Sequence, residues 1–227
     1  MRYFLFFSLL SILTSPSFSQ SISRGTPAKG SLQQAAKLPY RGPGYRYFSP
    51  LSYYGLRRAY VHDKVKKTVL QAYQQCHVKL PERRFVLMEC SKRRGGSMKP
   101  HRTHQNGMSV DFMTPLSKQG KAKRWLDHLG VWHYLLTFND QAQWRLNRKV
   151  EIDYEAMAQH ILALHNAAKQ NGLRIKKVIF KVKLQPALFK GPYGKQLKRQ
   201  GIYFVRKLSP LIDNLHDDHY HIDFQLR

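Results

Sequence analysis

The chain has 227 residues, with 39 lysines and arginines against 13 acids and a formal net charge of +26. That length holds one sizeable core and hardly two ordinary domains. The charge excludes an acidic or neutral surface and directs the protein to polyanions: nucleic acid, anionic lipid headgroups or a carboxylate-rich wall polymer.

At the N-terminus, Arg2 precedes an apolar run from Tyr3 to Leu13, too short for a membrane span of roughly 20 residues. Ser17 and Ser19 then fit the −3 and −1 positions of a cleavage site before Gln20. This predicts a secretory signal peptide over 1–19, with an N-terminal membrane tether as the alternative. No later stretch is apolar enough to span a bilayer, so no transmembrane segment is expected in the mature chain. For an exported protein, lipid and wall polymers are nearer than nucleic acid, and no nucleic-acid partner is expected. Cys76 and Cys90 fit an oxidising compartment and one disulfide, although two buried thiols would read the same way. No CxxC pair is present, so the cysteines do not form a zinc motif.

Residues 20–58 are rich in Ser, Gly, Pro and Arg, interspersed with Tyr40, Tyr45, Tyr47, Phe48, Tyr53 and Tyr54. They read as an irregular lead-in that packs its tyrosine rings while the hydroxyls reach water, ahead of a domain over 59–227. Within that domain, Val65, Val69, Leu70, Tyr73 and Cys76 recur at helical spacing, predicting an amphipathic helix over 61–77. Arg84–Cys90 reads as a buried strand that Arg93-Arg94-Gly95-Gly96 follows and breaks. Met108–Met113 is a second strand, Lys121–Leu129 a short helix, and Val131–Phe138 and Leu146–Ile152 are strands. Asp153 caps a helix that runs to Gln170 and stops at Asn171-Gly172. Arg174–Leu184 is a strand, Gly191–Gly194 a turn, and the chain closes on a further strand. Strands and helices mix without a βαβ rhythm, which predicts a single α+β domain with a small, largely antiparallel sheet and flanking helices.

Five of the eleven histidines fall in two clusters, His101 and His104 in one, His216, His219 and His221 in the other. On a terminal strand, side chains alternate faces, so His219 and His221 point together while Tyr220 and Ile222 point away. Catalytic zinc takes three ligands from histidine and carboxylate and keeps a fourth position for water, whose pKa falls to roughly 7. His104, Asp111 and one terminal histidine supply such a set, with Gly107 allowing the tight turn between the first two. A second terminal histidine on the same face is then the base. Asp217, Asp218 and Asp223 stand close enough to orient an imidazole or simply to cap a turn. The remaining histidines, at 62, 77, 128, 133, 160 and 165, read as surface or edge residues. Trp125, Trp132 and Trp144 read as core rather than substrate platforms.

The chain reads PHRTHQNGMSVD at 100–111 and HDDHYH at 216–221, with Arg93-Arg94-Gly95-Gly96 upstream. These blocks resemble the penicillin-insensitive murein endopeptidases, whose own version is similar to GHASHQTGLDVD followed by H-x-x-H-x-H. That family belongs to the lysostaphin and D-Ala-D-Ala metallopeptidase superfamily. The resemblance implies zinc (Zn2+) held by His104, Asp111 and His221, with His219 as catalytic base and His216 as an accessory active-site histidine. His101 matches a family histidine placed toward substrate. It further implies a periplasmic hydrolase acting on the D-alanyl–meso-diaminopimelate cross-links of peptidoglycan through activated water, which β-lactams do not block. The chain departs from the family in having only two cysteines. Two other readings stay open on the residues: a zinc-holding peptidoglycan-binding module without turnover, and a basic polyanion-binding envelope protein with fortuitous histidines.

Overall fold

The computed structural model describes residues 20–122 and 124–227; the signal peptide expected over 1–19 lies outside them. Strands β1 (Ile22–Thr26) and β2 (Lys29–Gln33) form a hairpin, followed by short strands β3 (Ala36–Lys37), β4 (Arg41–Gly42) and β5 (Tyr45–Tyr47). A π-helical turn at Leu51–Gly55 and β6 (Tyr60–Val61) lead into α1 (Asp63–Lys79). Next come β7 (Phe85–Leu87), β8 (Ser109–Met113), β9 (Leu116–Lys118) and β10 (Lys121–Ala122). Two 3-10 turns, Arg124–His128 and Gly130–Leu135, precede β11 (Gln143–Trp144) and β12 (Asn147–Ile152). The chain then runs through α2 (Tyr154–Gln170), β13 (Leu173–Ile179), a 3-10 turn at Val182–Leu184, α3 (Gln185–Leu188), α4 (Pro192–Arg199), α5 (Pro210–Asn214) and β14 (His219–Leu226).

The main sheet has the order β13-β14-β8-β7-β5-β4, antiparallel throughout except for the parallel pair β5–β7. With the flanking helices this is the α+β architecture that the sequence predicts. In β14 the pleat turns Tyr220, Ile222 and Phe224 to the helical side, and all three are buried. There His160 of α2 stacks on Tyr73 of α1 and on Phe85, and its Nδ1 lies 2.5 Å from the Tyr220 hydroxyl. The odd residues His219, His221 and Asp223 therefore face the opposite way. One face of one strand carries the core, the other the polar cluster.

Helix α2 starts where the sequence places it, because the Asp153 carboxylate accepts from the Ala156 N–H at 2.9 Å and satisfies an orphan donor of the first turn. Helix α1 is capped by His62, whose Nδ1 accepts from the Lys64 N–H at 3.2 Å.

Several expectations are corrected. The segment 20–58 is not irregular: it holds five strands, two of which belong to the main sheet. Its tyrosines do pack, Tyr45 stacking on Tyr73 at 4.4 Å, but the hydroxyls of Tyr45, Tyr47 and Tyr53 serve the backbone rather than water. Tyr47 donates to the Arg58 carbonyl at 2.8 Å and Tyr53 to the Leu38 carbonyl at 2.9 Å. Val131–Phe138 is not a strand. His133 and Leu136, both buried, stand three apart, which suits the 3-10 turn that forms, while Phe138, also buried, lies beyond it. The strand after Leu173 ends at Ile179, where the Lys181 N–H turns to the His216 carbonyl at 2.8 Å. Gly191–Gly194 is the start of α4, with Pro192 at the first helical position, where its missing N–H costs nothing.

Cys76 and Cys90 are both buried free thiols, so the expected disulfide is not formed. Cys76 lies on α1 beside Leu162 and Ala163 of α2, whereas the Cys90 sulfur lies 3.8 Å from the Met88 carbonyl within its own strand-loop. Burial raises both thiols, Cys76 to about 12, which keeps them protonated and unreactive. Of the histidines expected at surfaces, His62, His133, His160 and His165 are buried. Trp125 and Trp132 are 49% and 68% exposed rather than core, and only Trp144 packs against the core. Among the described residues no helix is long and apolar enough to cross a membrane.

Candidate active site

Pairing of β8 with β14 sets His221 opposite Asp111, His219 opposite Met113 and Asp223 opposite Ser109. His221 Nδ1 consequently lies 2.7 Å from Asp111 Oδ1. His104 reaches the same carboxylate from the preceding loop, its Nε2 3.1 Å from Asp111 Oδ2, and its ring stands perpendicular to that of His221 at 4.8 Å. His101 is further out, with Nδ1 3.8 Å from Asp111 Oδ2. Ligand atoms of His101, His104 and Asp111 all lie within 4.8 Å of one another, a grouping able to hold a metal ion. The structure thus brings together all four of the residues that the sequence nominates around this point.

The loop that delivers His104 is a built feature. His104 itself has φ 70°, a left-handed conformation that a non-glycine residue adopts at a cost of about 1–3 kcal/mol. Gly107 has φ +73°, and a Cβ there would meet a Leu32 methyl at 2.5 Å and the His62 nitrogen at 3.0 Å. The β1–β2 hairpin supports this loop from below. Gln105 N–H donates to the Pro27 carbonyl at 2.9 Å, and Leu32 N–H to the Arg94 carbonyl at 3.0 Å. The supposed lead-in is therefore the bed of the His104 loop.

The free ends of the imidazoles are fixed by second partners. His104 Nδ1–H donates to the Ser109 carbonyl at 3.2 Å, which aims Nε2 at Asp111. His221 Nε2–H donates to Asp223 Oδ1 at 2.8 Å, and Asp223 is itself held by the Ser109 hydroxyl at 2.5 Å and by Lys177 at 3.2 Å. The two imidazoles meet the two oxygens of the Asp111 carboxylate, each imidazole oriented by an outer acceptor. That is the donor chemistry of a catalytic zinc site, and it fits the residues present.

His219 is buried beside this centre and donates Nδ1–H to Asp218 Oδ1 at 2.5 Å, leaving Nε2 unengaged by that bond. Burial works to lower its pKa, but the Asp218 carboxylate outweighs burial and holds it above the ordinary histidine value. His216 packs its ring 4.8 Å from that of His219 and gives Nδ1–H to the Ile212 carbonyl at 2.6 Å. Burial and the neighbouring His219 lower His216 to about 4, and burial lowers His101 to about 4 despite Asp111. Both are neutral at neutral pH.

Each of the three aspartates near the C-terminus has a definite place. Asp223 orients His221 and Asp218 orients His219. Asp217 ties two loops, accepting from the Phe138 N–H and from Lys181, both at 3.2 Å.

Three residues at the site escaped the sequence reading. His133 donates Nε2–H to the Asp218 carbonyl at 2.9 Å. Glu89, next to the strand that pairs with β8, is buried and raised to about 7 by that burial, against the opposing pull of Arg58. Arg58 links Glu89, at 3.4 Å, to the Lys99 carbonyl, at 2.8 Å, and so braces the loop that carries His101. The one available signal was the scarcity of acids: in a chain with 13 of them, Glu89 inside an apolar run needs a partner.

A search of curated proteins finds no match to this chain. The family model for penicillin-insensitive murein endopeptidase matches residues 23–226, which takes in the hairpin, both histidine blocks and the terminal strand. The chain belongs to the penicillin-insensitive murein endopeptidase family.

Proposed function

We propose that this protein is a zinc-dependent murein hydrolase that cuts the D-alanyl–meso-diaminopimelate cross-link of peptidoglycan in the periplasm, reached through a cleaved signal peptide over 1–19. Family membership supports the substrate, and the site supports the chemistry. The observation that carries the reading is the β8–β14 register, which seats His221 against Asp111 while Asp223 occupies the other ring nitrogen.

His104, Asp111 and His221 are the ligands in this reading, because each of the two imidazoles has an outer acceptor that orients it. His101, further from Asp111 and nearer the mouth, contacts substrate. Zinc in such a site supplies a Lewis acid that makes water acidic near pH 7 and polarises a carbonyl. His219, oriented by Asp218, takes the proton of the attacking water at Nε2 and passes it to the leaving amine. His216 presents its remaining nitrogen beside His219 and steadies the bound peptide. The net charge of +26 concentrates the enzyme on a polymer rich in stem-peptide carboxylates.

The test is digestion of purified cross-linked murein, followed by muropeptide separation, with chelator and then with zinc restored. Loss of cross-linked dimers that stops on chelation and returns with zinc supports the proposal. Zinc binding without any product would favour a binding module, and polyanion binding indifferent to chelation would leave only a basic envelope protein.

A further inference from the structure

The 3-10 turn Gly130–Leu135 forms a wall beside the catalytic strand, and its residues divide by direction. His133 is wholly buried and anchors the turn on the Asp218 carbonyl at 2.9 Å. Trp132 and Leu135, each 68% exposed, face outward. Tyr134 lies between the two behaviours. Its ring stands perpendicular to that of His219 at 5.9 Å and to that of Phe48 at 5.8 Å, so both sides are braced. The residue is 38% exposed, and the Glu89, Asp111 and Asp218 carboxylates and the Arg58 guanidinium are near enough to act on its phenol. No hydrogen bond engages that hydroxyl among the described residues.

We propose that Tyr134 is a catalytic residue whose hydroxyl donates a hydrogen bond to the carbonyl oxygen of the scissile peptide bond, a role that rests on the peptidase reading above. The ring stands on the side of His219, on the turn that faces the two paired strands and not on those strands themselves. A carbonyl lying between His219 and Asp111 would have its oxygen turned toward this wall. The carbonyl oxygen gains negative charge as water adds to the carbon, so a fixed donor there binds the transition state more tightly than the ground state. Burial, with the three carboxylates adding to it, holds the phenol well above its ordinary value. It therefore stays a protonated donor at any pH the envelope meets. The competing donor, His216, has one nitrogen committed to Ile212.

Tyr134→Phe keeps both ring contacts and deletes only the donor. The expected result is a fall in kcat of about 100-fold with KM within about twofold, at unchanged zinc content and melting temperature. A second readout is calorimetric binding, to the zinc-loaded protein, of two ligands: a phosphinate pseudo-peptide of the stem cross-link, and an uncleavable ground-state stem peptide. The variant should lose about 100-fold in affinity for the phosphinate and little for the other. Wild-type kcat, or equal loss on both ligands, would overturn the proposal. A wild-type chain that cleaves no murein contradicts the peptidase reading instead, and the phosphinate comparison still decides whether Tyr134 contacts the ligand.

Discussion

On one side of the site, Asp111 and His221 stand on β8 and β14, paired by a backbone ladder whose other face is packed on α1 and α2. On the other side, the turn Gly130–Leu135 meets that strand only through side chains, with His133 on the Asp218 carbonyl and the Tyr134 ring on His219. A ladder fixes side chains by register, and a one-residue shift of β14 would turn His219, His221 and Asp223 into the core. The turn is held by the His133 hydrogen bond and by the Tyr134 ring between His219 and Phe48. One side of the site is thus set by backbone register and the facing side by side-chain contacts.

The largest effect should come from breaking the contact at which the walls meet. His219→Ala should lower kcat by about 10²- to 10⁴-fold while zinc content stays at wild type, read by murein digestion beside metal analysis. Equal loss of metal would mean that His219 is a ligand. On the ladder side, Asp223→Asn removes the carboxylate that orients His221 without removing a ligand. Zinc affinity should fall about 10- to 100-fold in a competition titration with a chromophoric chelator; an unchanged affinity would deny His221 its place in the ligand set.

Behind the ladder, His160 is wholly buried and burial lowers it to about 3. The unfolded chain takes up a proton near pH 6.5 that the folded chain refuses until about pH 3, so stability is fully present above pH 6.5 and lost as pH falls. The expected slope is about 1.4 kcal/mol per pH unit in that window. His160→Phe keeps the stacking on Tyr73 and Phe85, and chemical denaturation should show that part of the slope gone. An undiminished slope would assign the acid sensitivity to other groups. The smallest effect falls on the loop that delivers His104. Gly107→Ala, forced to φ +73° against Leu32, should cost about 1–3 kcal/mol in melting experiments, and no cost would show that the loop relaxes.

What the sequence disclosed follows the same division. The terminal strand was legible because its apolar and polar residues alternate with period two, and Asp153 because a cap is a local interaction. His104 and Asp111 were legible from spacing around a glycine. The hairpin at 22–33 was not, since its residues pair with each other and with the Arg94 and Gln105 backbone rather than following a hydrophobic pattern. The turn at 130–135 was misread as a strand because its apolar run carries no period, and long-range contacts of His133 decide its shape. Arg58 and Glu89 lie 31 residues apart, and no local signal links them.

The most direct measurement is the zinc content of three purified proteins, wild type, His221→Ala and His101→Ala, by plasma mass spectrometry after dialysis against trace zinc. The account predicts one zinc per chain in wild type, near-complete loss in His221→Ala and retention in His101→Ala. Stoichiometric zinc in His221→Ala together with loss in His101→Ala would contradict it and move the metal to the His101, His104 and Asp111 group.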